Sequence, residues 1–400
     1  MRLLIKNGLV LQGSVFKLLN VVIKDGIINQ LSAGKESAEE DYDQIIDAQG
    51  KYISPGFIDI HTHGAVGEDV NDTSAEGIKK IADFFASQGT TSWLMSILTD
   101  ERAHVRDAIQ SYNDYLETAG RLNNLVGIHL EGPFLSHKYR GSMPDHLLTD
   151  YDKEFVDEAL EQSKQGIRYM TVAPEVPGVL AAIPYLNSKG IVVSIGHSGA
   201  TYEVSREAIE KGAASCTHTF NAMGLFHQHF PGIMGAVLES DSIFCEAICD
   251  GKHLHPGTIR MLIKTMGIDK VVMITDSIMA AGMPDGEYKL GVNDIVVEDG
   301  DASLKKDRSI RAGSTLTTGQ ALKNMLEFTD FSIGEILQML TINPARLLKI
   351  DSEVGSISVG KRANLLQLGL DGSVQRTWID GKLAWDSTQN IEETNNLLRG

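Results

Sequence analysis

Apolar, β-branched segments recur through the middle of the chain, and most of them are followed by a segment with helical periodicity. The apolar segments lie at residues 56–63, 91–98, 125–131, 168–173, 191–197, 214–218, 243–249 and 270–276. Strands that are apolar almost throughout, rather than alternating, are typical of a parallel sheet that is covered on both faces. The pattern therefore predicts eight parallel strands joined by helices.

The helical segments carry their own start and stop signals. Thr73 and Glu76 have the spacing of a capping box, and Ile78, Ile81 and Phe85 then fall on one helical face. Glycines follow this segment and the later ones, and we expect them to end the helices: Gly89, Gly120, Gly166, Gly190, Gly212 and Gly267.

Eight strands alternating with helices predict an α/β fold, a (β/α)8 TIM-type barrel, over residues 55–354. An open, doubly wound sheet is the alternative arrangement. However, no dinucleotide-binding glycine pattern follows the first strand, and this favours the barrel.

The two ends of the chain have a different pattern. Residues 1–54 and 355–400 contain short strand patterns separated by residue pairs that favour tight turns. These pairs are Asn7-Gly8 and Asp25-Gly26 near the start and Asp380-Gly381 near the end. We predict one small β domain built from both chain ends.

Charge and cysteine content narrow the function. The formal net charge is −17 and there is no lysine- or arginine-rich tract, so nucleic acid is not an expected partner. An anionic substrate stays possible, since a few local cations can bind it. The three cysteines (Cys216, Cys245 and Cys249) form no disulfide framework, and neither a signal peptide nor a membrane span is evident. We therefore expect a cytoplasmic protein without a membrane partner.

Candidate metal ligands stand at the ends of five predicted strands. His61 and His63 end the first strand on one face, where two imidazoles can bind one divalent metal. Glu131 ends the third strand, His197 the fifth, His218 the sixth and Asp276 the eighth. Each residue alone has a structural explanation, as a core histidine or a helix N-cap. Because the carboxyl ends of barrel strands meet at one face, these five strand ends together predict a metal centre.

The segments around these residues resemble the N-acetylglucosamine-6-phosphate deacetylase family of the amidohydrolase superfamily. The resemblance covers nearly the whole chain and rests on 55–64 (PGFIDIHTHG), 130–134 (LEGPF), 196–198 (GHS), 217–218 (TH), 221–223 (NAM), 250–253 (DGKH), 275–276 (TD), 313–317 (GSTLT) and 343–346 (NPAR). It implies a barrel paired with a small β domain, and a homodimer.

The resemblance also implies roles for single residues. Glu131, His197 and His218 would bind the metal that all members keep. His61 and His63 would complete a second site found in some members, with Glu131 as the bridge. The cofactor would be one or two divalent ions, and a His/Glu/Asp set accepts Zn, Fe, Mn or Co.

The same resemblance implies the reaction. Asp276 would lie beside the attacking water, take its proton and later deliver it to the departing nitrogen. The products would be acetate and a free amino sugar. The positions that match the family's substrate contacts are Asn221, Ala222 and His253.

Two positions depart from the family pattern. His229, in 227–232 (HQHFPG), stands where the family has an arginine that reaches a substrate phosphate across the dimer interface. Met143 follows Gly141 where many members have a His or Gln that contacts the substrate, and a thioether cannot donate a hydrogen bond.

Three functions follow as hypotheses. The first is deacetylation of N-acetylglucosamine 6-phosphate. The second keeps the metal centre but acts on another N-acyl amino sugar, such as N-acetylgalactosamine 6-phosphate or an unphosphorylated sugar. The third is a catalytically silent scaffold of the same fold, against which the retention of every ligand and of Asp276 counts.

Overall fold

The computed structural model describes residues 1–34 and 41–388 of the chain, so the parts of the predicted β domain at 35–40 and 389–400 lie outside the described residues. The chain begins with five strands: β1 (Arg2–Gln12), β2 (Val15–Lys24), β3 (Ile27–Ser32), β4 (Gln44–Asp47) and β5 (Tyr52–Pro55). Asp25-Gly26 forms the predicted turn between β2 and β3, with φ of 52° and 90°.

The turn predicted at Asn7-Gly8 is wrong. Both residues lie inside β1, where the pairing with β2 shifts register between Ile5 and Gly8. Asn7 has a φ of 56°, and a β-bulge uses this left-handed conformation as readily as a turn does. The residue pair alone does not distinguish the two.

The central sheet confirms the predicted barrel of eight parallel strands. In chain order its strands, with one short hairpin after the first, are β6 (Phe57–Thr62), hairpin strands β7 (Gly64–Ala65) and β8 (Glu68–Asp69), β9 (Thr90–Leu98), β10 (Leu125–Glu131), β11 (Ile167–Val172), β12 (Val192–Ile195), β13 (Ser215–Cys216), β14 (Phe244–Ile248) and β15 (Val271–Ile274). The first and last strands meet through backbone hydrogen bonds beyond the end of β15. His63 N donates to Ser277 O at 2.7 Å, and Asp276 N donates to His61 O at 2.9 Å.

A helix follows each barrel strand, and two more complete the layer. The helices are α1 (Ala75–Ser87), α2 (Arg102–Thr118), α3 (Lys153–Gln162), α4 (Val179–Ser188), α5 (Tyr202–Glu210), α6 (Gly232–Glu239), α7 (Pro256–Met266), α8 (Thr318–Phe328), α9 (Ile333–Leu340) and α10 (Ile342–Leu347). Their apolar faces and the buried strands form one continuous core.

Two local predictions about these helices need correction. Ser74, not Thr73, is the N-cap of α1: its hydroxyl accepts from Gly77 N, whereas Thr73 Oγ1 donates to Glu68 Oε2 at 2.7 Å. Serine and threonine are both common N-caps and stand side by side here, so the pattern was one residue off. After α3 the left-handed backbone is adopted by Lys164 and Gln165 rather than by Gly166.

An antiparallel sheet that the sequence did not predict is inserted between β15 and α8. Its strands are β16 (Gly286–Leu290), β17 (Asn293–Glu298), β18 (Asp301–Leu304) and β19 (Asp307–Arg311), in that order across the sheet. Leu290, Ile295 and Leu304 on one face pack against Met143 and Leu98, near the end of the barrel that carries the candidate ligands.

The last three strands are β20 (Leu365–Leu368), β21 (Val374–Ile379) and β22 (Lys382–Asp386). They join the first five in one sheet, because β20 pairs antiparallel with β5. Asp380-Gly381 forms the predicted turn between β21 and β22. Both chain ends thus share one sheet, with its own core around Trp378; the domain limits at 54/55 and 354/355 stay a prediction.

Among the described residues, no helix is long and apolar enough to cross a membrane.

We expect Asn124→Ala to lower the free energy of unfolding by about 2–4 kcal/mol, because it leaves buried polar groups unpaired. The Asn124 side chain is buried. It accepts from Trp93 Nε1 at 2.9 Å and donates to Ala82 O at 3.0 Å, so it joins α1 to β9. Urea unfolding followed by fluorescence measures the change. Gln110→Ala on the exposed face of α2 is the control, with an expected change within about 0.5 kcal/mol; equal effects of the two variants would contradict the assignment.

Candidate metal centre

His61 and His63 point from the end of β6 into the barrel mouth, as the strand alternation predicts. Their Nε2 atoms are 3.1 Å apart. His61 Nδ1 donates to Glu246 Oε2 at 3.0 Å, and His63 Nδ1 donates to Ser96 O at 2.8 Å. A carboxylate or a carbonyl can only accept, so the proton of each neutral ring lies on Nδ1. Both Nε2 lone pairs therefore face the centre.

A second set of ligands faces the first. Glu131 is the last residue of β10, and His197 and His218 each lie two residues beyond the ends of β12 and β13. Glu131 Oε1 is 3.1 Å from His197 Nε2 and 3.2 Å from His218 Nε2. His197 Nδ1 donates to Tyr139 O at 3.0 Å, which again leaves Nε2 facing inward.

Asp276 and Glu131 connect the two sets. Asp276, two residues beyond β15, places Oδ1 3.1 Å from His63 Nε2 and 3.6 Å from His61 Nε2. Glu131 lies 3.5 Å from His61 Nε2 through Oε1 and 3.4 Å from His63 Nε2 through Oε2. The six predicted ligands therefore come together at one place.

The arrangement fits divalent metal ions. His61, His63 and Asp276 form one group, and Glu131, His197 and His218 form another, each with ligand atoms within 4.8 Å of one another and all residues buried. Imidazole lone pairs that face each other at about 3 Å repel unless a cation lies between them. Nitrogen and carboxylate donors in sets of three are typical of Zn and similar transition metals.

The charges within the cluster depend on one another. Burial alone would lower the pKa of His61, but without a cation in the centre Glu131 and Asp276 raise it well above its usual value, so a proton and a metal ion compete for Nε2. Burial alone would raise the pKa of Glu131, but the surrounding imidazoles hold it well below its usual value. The pKa of Asp276 is also lowered despite burial, because His61 and His63 are adjacent. Both carboxylates are therefore ionised and available as ligands.

A cavity of about 330 Å³ opens above the ligands. Four of the predicted substrate positions line it: Met143, Asn221, Ala222 and His253. His253 Nδ1 donates to Asp250 Oδ2 at 2.7 Å, which fixes the ring. His229 does not line this cavity; it lies in an exposed loop of the same chain.

Three residues near this site were not predicted from the sequence. Glu246 accepts from His61 behind the ligands, and its signal was an acidic residue within the otherwise apolar β14. His129 lies under His61 with ring centroids 4.6 Å apart; it is fully buried, and this burial holds its pKa well below the usual value. Arg311 lines the cavity from β19, and no sequence signal marked it.

Comparison with known proteins gives a consistent result. A model described as "Amidohydrolase family" matches residues 52–384. The N-acetylglucosamine-6-phosphate deacetylase of Lysinibacillus sphaericus is 35% identical over 346 residues, which are 86% of this chain and 88% of that protein. The N-acetylgalactosamine-6-phosphate deacetylase of Escherichia coli O157:H7 is 32% identical over 362 residues, with 90% and 93% covered.

The fold has close solved counterparts as well. The crystal structure of N-acetylglucosamine-6-phosphate deacetylase from Pasteurella multocida matches with a TM-score of 0.89 and 31% sequence identity. The match covers 96% of this chain and 99% of that one. The similarity therefore includes the barrel and the sheet built from both chain ends.

We expect the purified chain to bind two divalent ions when metal is supplied in excess, and a His61→Gln/His63→Gln variant to bind one. The reason is that the variant removes two of the three ligands of one group but none of the other. Elemental analysis after gel filtration counts the ions. His104→Gln, an exposed histidine on α2, should leave the count at two. A single ion that persists unchanged after replacing His61 and His63 would rule out the second site.

Proposed function

Because the chain belongs to the amidohydrolase family, we propose that it is a metal-dependent deacetylase that converts N-acetylglucosamine 6-phosphate to glucosamine 6-phosphate and acetate. The observation that carries this proposal is the pair of buried ligand groups beneath an open cavity, with the Asp276 carboxylate lining that cavity. Acetate release from the purified, metal-loaded protein is the direct test.

The proposed metal ligands are His61, His63 and Asp276 for one ion and Glu131, His197 and His218 for the other, with Zn, Fe, Mn or Co as candidates. When bound, a divalent cation supplies Lewis-acid chemistry: it polarises a carbonyl and makes water acidic enough to ionise near neutral pH. His61, His63 and His197 are held by the hydrogen bonds at Nδ1, so their Nε2 atoms need little reorganisation.

Asp276 is the proposed general base and acid. Its carboxylate is ionised, so it can accept a proton from the water whose oxygen attacks the acetyl carbon. It then returns that proton to the sugar nitrogen as the carbon–nitrogen bond breaks, which gives acetate and a free amine. A positioned group in this role typically contributes ~10²–10⁴-fold to the rate.

The sugar phosphate is proposed to lie against His253, Asn221 and Ala222, which line the cavity. Arg311 is the only lysine or arginine among the residues described as lining it. Its Nε and Nη2 donate to Asp301 at 3.0 Å each, which fixes the guanidinium and leaves Nη1 for a ligand. This guanidinium supplies, within one chain, a permanent cation that His229 does not.

N-acetylgalactosamine 6-phosphate is the second candidate substrate. The Escherichia coli O157:H7 relative that carries this name is 32% identical over 90% of the chain, close to the similarity of the glucosamine relatives. Met143 packs in the core of the inserted sheet and also lines the cavity. Its thioether makes this part of the cavity less polar than the His or Gln found at this position in many family members would. An acetate-release screen over both hexosamines, with and without the 6-phosphate, separates these candidates and the unphosphorylated alternative.

A cytoplasmic homodimer is the proposed form of the enzyme. The three cysteines are buried free thiols, and burial raises the pKa of Cys245 to about 12, as suits a reducing compartment. The loop that carries His229 also exposes Leu225, Phe226 and Phe230. Several large apolar side chains exposed on one loop are typical of an interaction surface, so a second copy of the chain would cover them.

We expect Asp276→Asn to lower kcat for acetate release by at least ~10²-fold, since an amide cannot accept the water proton. The second group, Glu131, His197 and His218, should still hold its metal. Turnover, metal content and thermal unfolding are measured on the same preparation. Asp241→Asn, at an exposed position, is the matched control and should be fully active. Near-normal deacetylation by Asp276→Asn would refute the assigned role.

We expect Arg311→Gln and His253→Gln each to lower kcat/KM for the phosphorylated substrate about ten- to a hundred-fold, mainly by raising KM. A lost charge-assisted hydrogen bond costs ~1.5–3 kcal/mol. The rate with the unphosphorylated sugar should change little, and steady-state kinetics on both sugars measures the difference.

A gain of function completes this comparison. His229→Arg should raise kcat/KM for the phosphorylated sugar if the loop reaches the partner's cavity, whereas His227→Arg in the same exposed loop is the control. Two results together would favour an unphosphorylated substrate. The wild type would prefer the plain sugar over its 6-phosphate, and Arg311→Gln would not change that preference.

A further inference from the structure

One carboxylate beneath the candidate metal centre contacts both ligand groups. Glu246, in β14, is fully buried. Its Oε2 accepts from His61 Nδ1 at 3.0 Å and from the backbone N–H of His218 at 3.0 Å. A single oxygen atom therefore joins the first ligand group to the backbone of the second.

The bond to His61 decides which ring nitrogen can bind a metal. A carboxylate accepts but cannot donate, so it holds the ring proton on Nδ1 and leaves the Nε2 lone pair toward the centre. The negative charge of the carboxylate also makes that imidazole a stronger donor. His63, in contrast, depends on the uncharged carbonyl of Ser96.

The other carboxyl oxygen of Glu246 also accepts a hydrogen bond from a buried side chain. The Tyr169 hydroxyl donates to Oε1 at 2.5 Å. Burial and the charge of Glu246 raise the pKa of Tyr169 well above its usual value, so the phenol keeps this proton. The described hydrogen-bond partners of Glu246 are thus all donors, and both of its carboxyl oxygens are paired inside the barrel.

We propose that Glu246 is a positioning residue that keeps the His61/His63 group in its metal-binding form and so sets how many ions the chain retains. The effect on the Glu131 group is smaller, because Glu246 touches only the backbone of His218 and not its ring. This inference rests on the proposed metal centre and extends it to a residue outside the ligand groups.

The test is zinc retention by Glu246→Gln. Glutamine keeps the shape and one acceptor oxygen but removes the charge. Wild type and variant are loaded with Zn²⁺ and dialysed against a graded series of a competing chelator, and zinc per chain is then counted. We expect one of the two ions to be lost at about ten- to a hundred-fold lower chelator strength in the variant, with the other ion retained.

Two further variants separate positioning from general damage to the core. Tyr169→Phe removes a hydrogen bond from the same carboxylate without touching His61, and its effect on zinc retention should be clearly smaller. In a His61→Gln background, Glu246→Gln should change zinc retention no further, because its route to the metal is already lost. Thermal unfolding of each variant shows whether the fold is intact.

Each contrary result is distinct. Wild-type zinc retention by Glu246→Gln overturns the proposal, as does equal weakening of both ions. The proposal is also overturned if Glu246→Gln weakens zinc retention as much in the His61→Gln background as in the wild type, because its effect then does not depend on His61. If the wild type holds only one ion, the inference falls with the second site, while acetate release by the wild type still tests the deacetylase proposal separately.

Discussion

The structure depends on balancing charge inside a barrel that is shielded from solvent. Glu131, Asp276 and Glu246 are carboxylates with little or no exposure, and four inward-facing imidazoles surround them. An ionised group buried alone costs several kcal/mol, so each must find its compensation within the cluster. The compensation is mutual, between carboxylates and imidazoles. Acceptor groups behind the rings of His61, His63 and His197 orient them, and the Nε2 lone pairs converge where the proposed cation would bind.

The same constraint shapes the layer below the ligands. Barrel interiors are usually filled by branched apolar side chains. Here His129 lies 2.9 Å from Ser96 Oγ and 2.8 Å from Thr171 Oγ1, and the hydroxyl chain continues to Thr217 and Ser194. The ring nitrogens and hydroxyls of this layer are all paired, which allows a buried imidazole beneath the candidate metal centre.

The backbone at the strand ends follows from the position of the ligands. His197, His218 and Asp276 all lie just beyond a strand and adopt positive φ values of 46°, 27° and 52°. Such conformations cost about 1–3 kcal/mol each in residues other than glycine. These backbone conformations turn the side chains back over the barrel mouth. The first and last barrel strands also meet there, where Asp276 N donates to His61 O. The strained residues and the point where the barrel closes therefore both lie at the candidate site.

The sequence predicted what periodicity and chain order determine. Eight apolar runs and six ligands at five strand ends are regular features, and an error of one residue, such as the N-cap at Ser74, does not change them. The strands β16–β19 were missed because they are short and partly exposed, with many charged positions. Glu246 and Arg311 were missed because what marks them is a neighbour distant in sequence: Glu246 contacts His61, and Arg311 lines the cavity. Only the three-dimensional arrangement brings these neighbours together.

Metal occupancy and substrate charge are linked through the same carboxylates. With one divalent cation, Glu131, Asp276 and Glu246 leave the centre with a net charge of about −1; with two, the net charge is about +1. The protein as a whole carries −17, so its overall field repels an anionic sugar. A two-ion centre of positive sign would oppose that field at the cavity, which Arg311 lines with its guanidinium paired to Asp301. Glu246, which contacts His61, would through the proposed second ion also affect the charge that the cavity presents to a substrate.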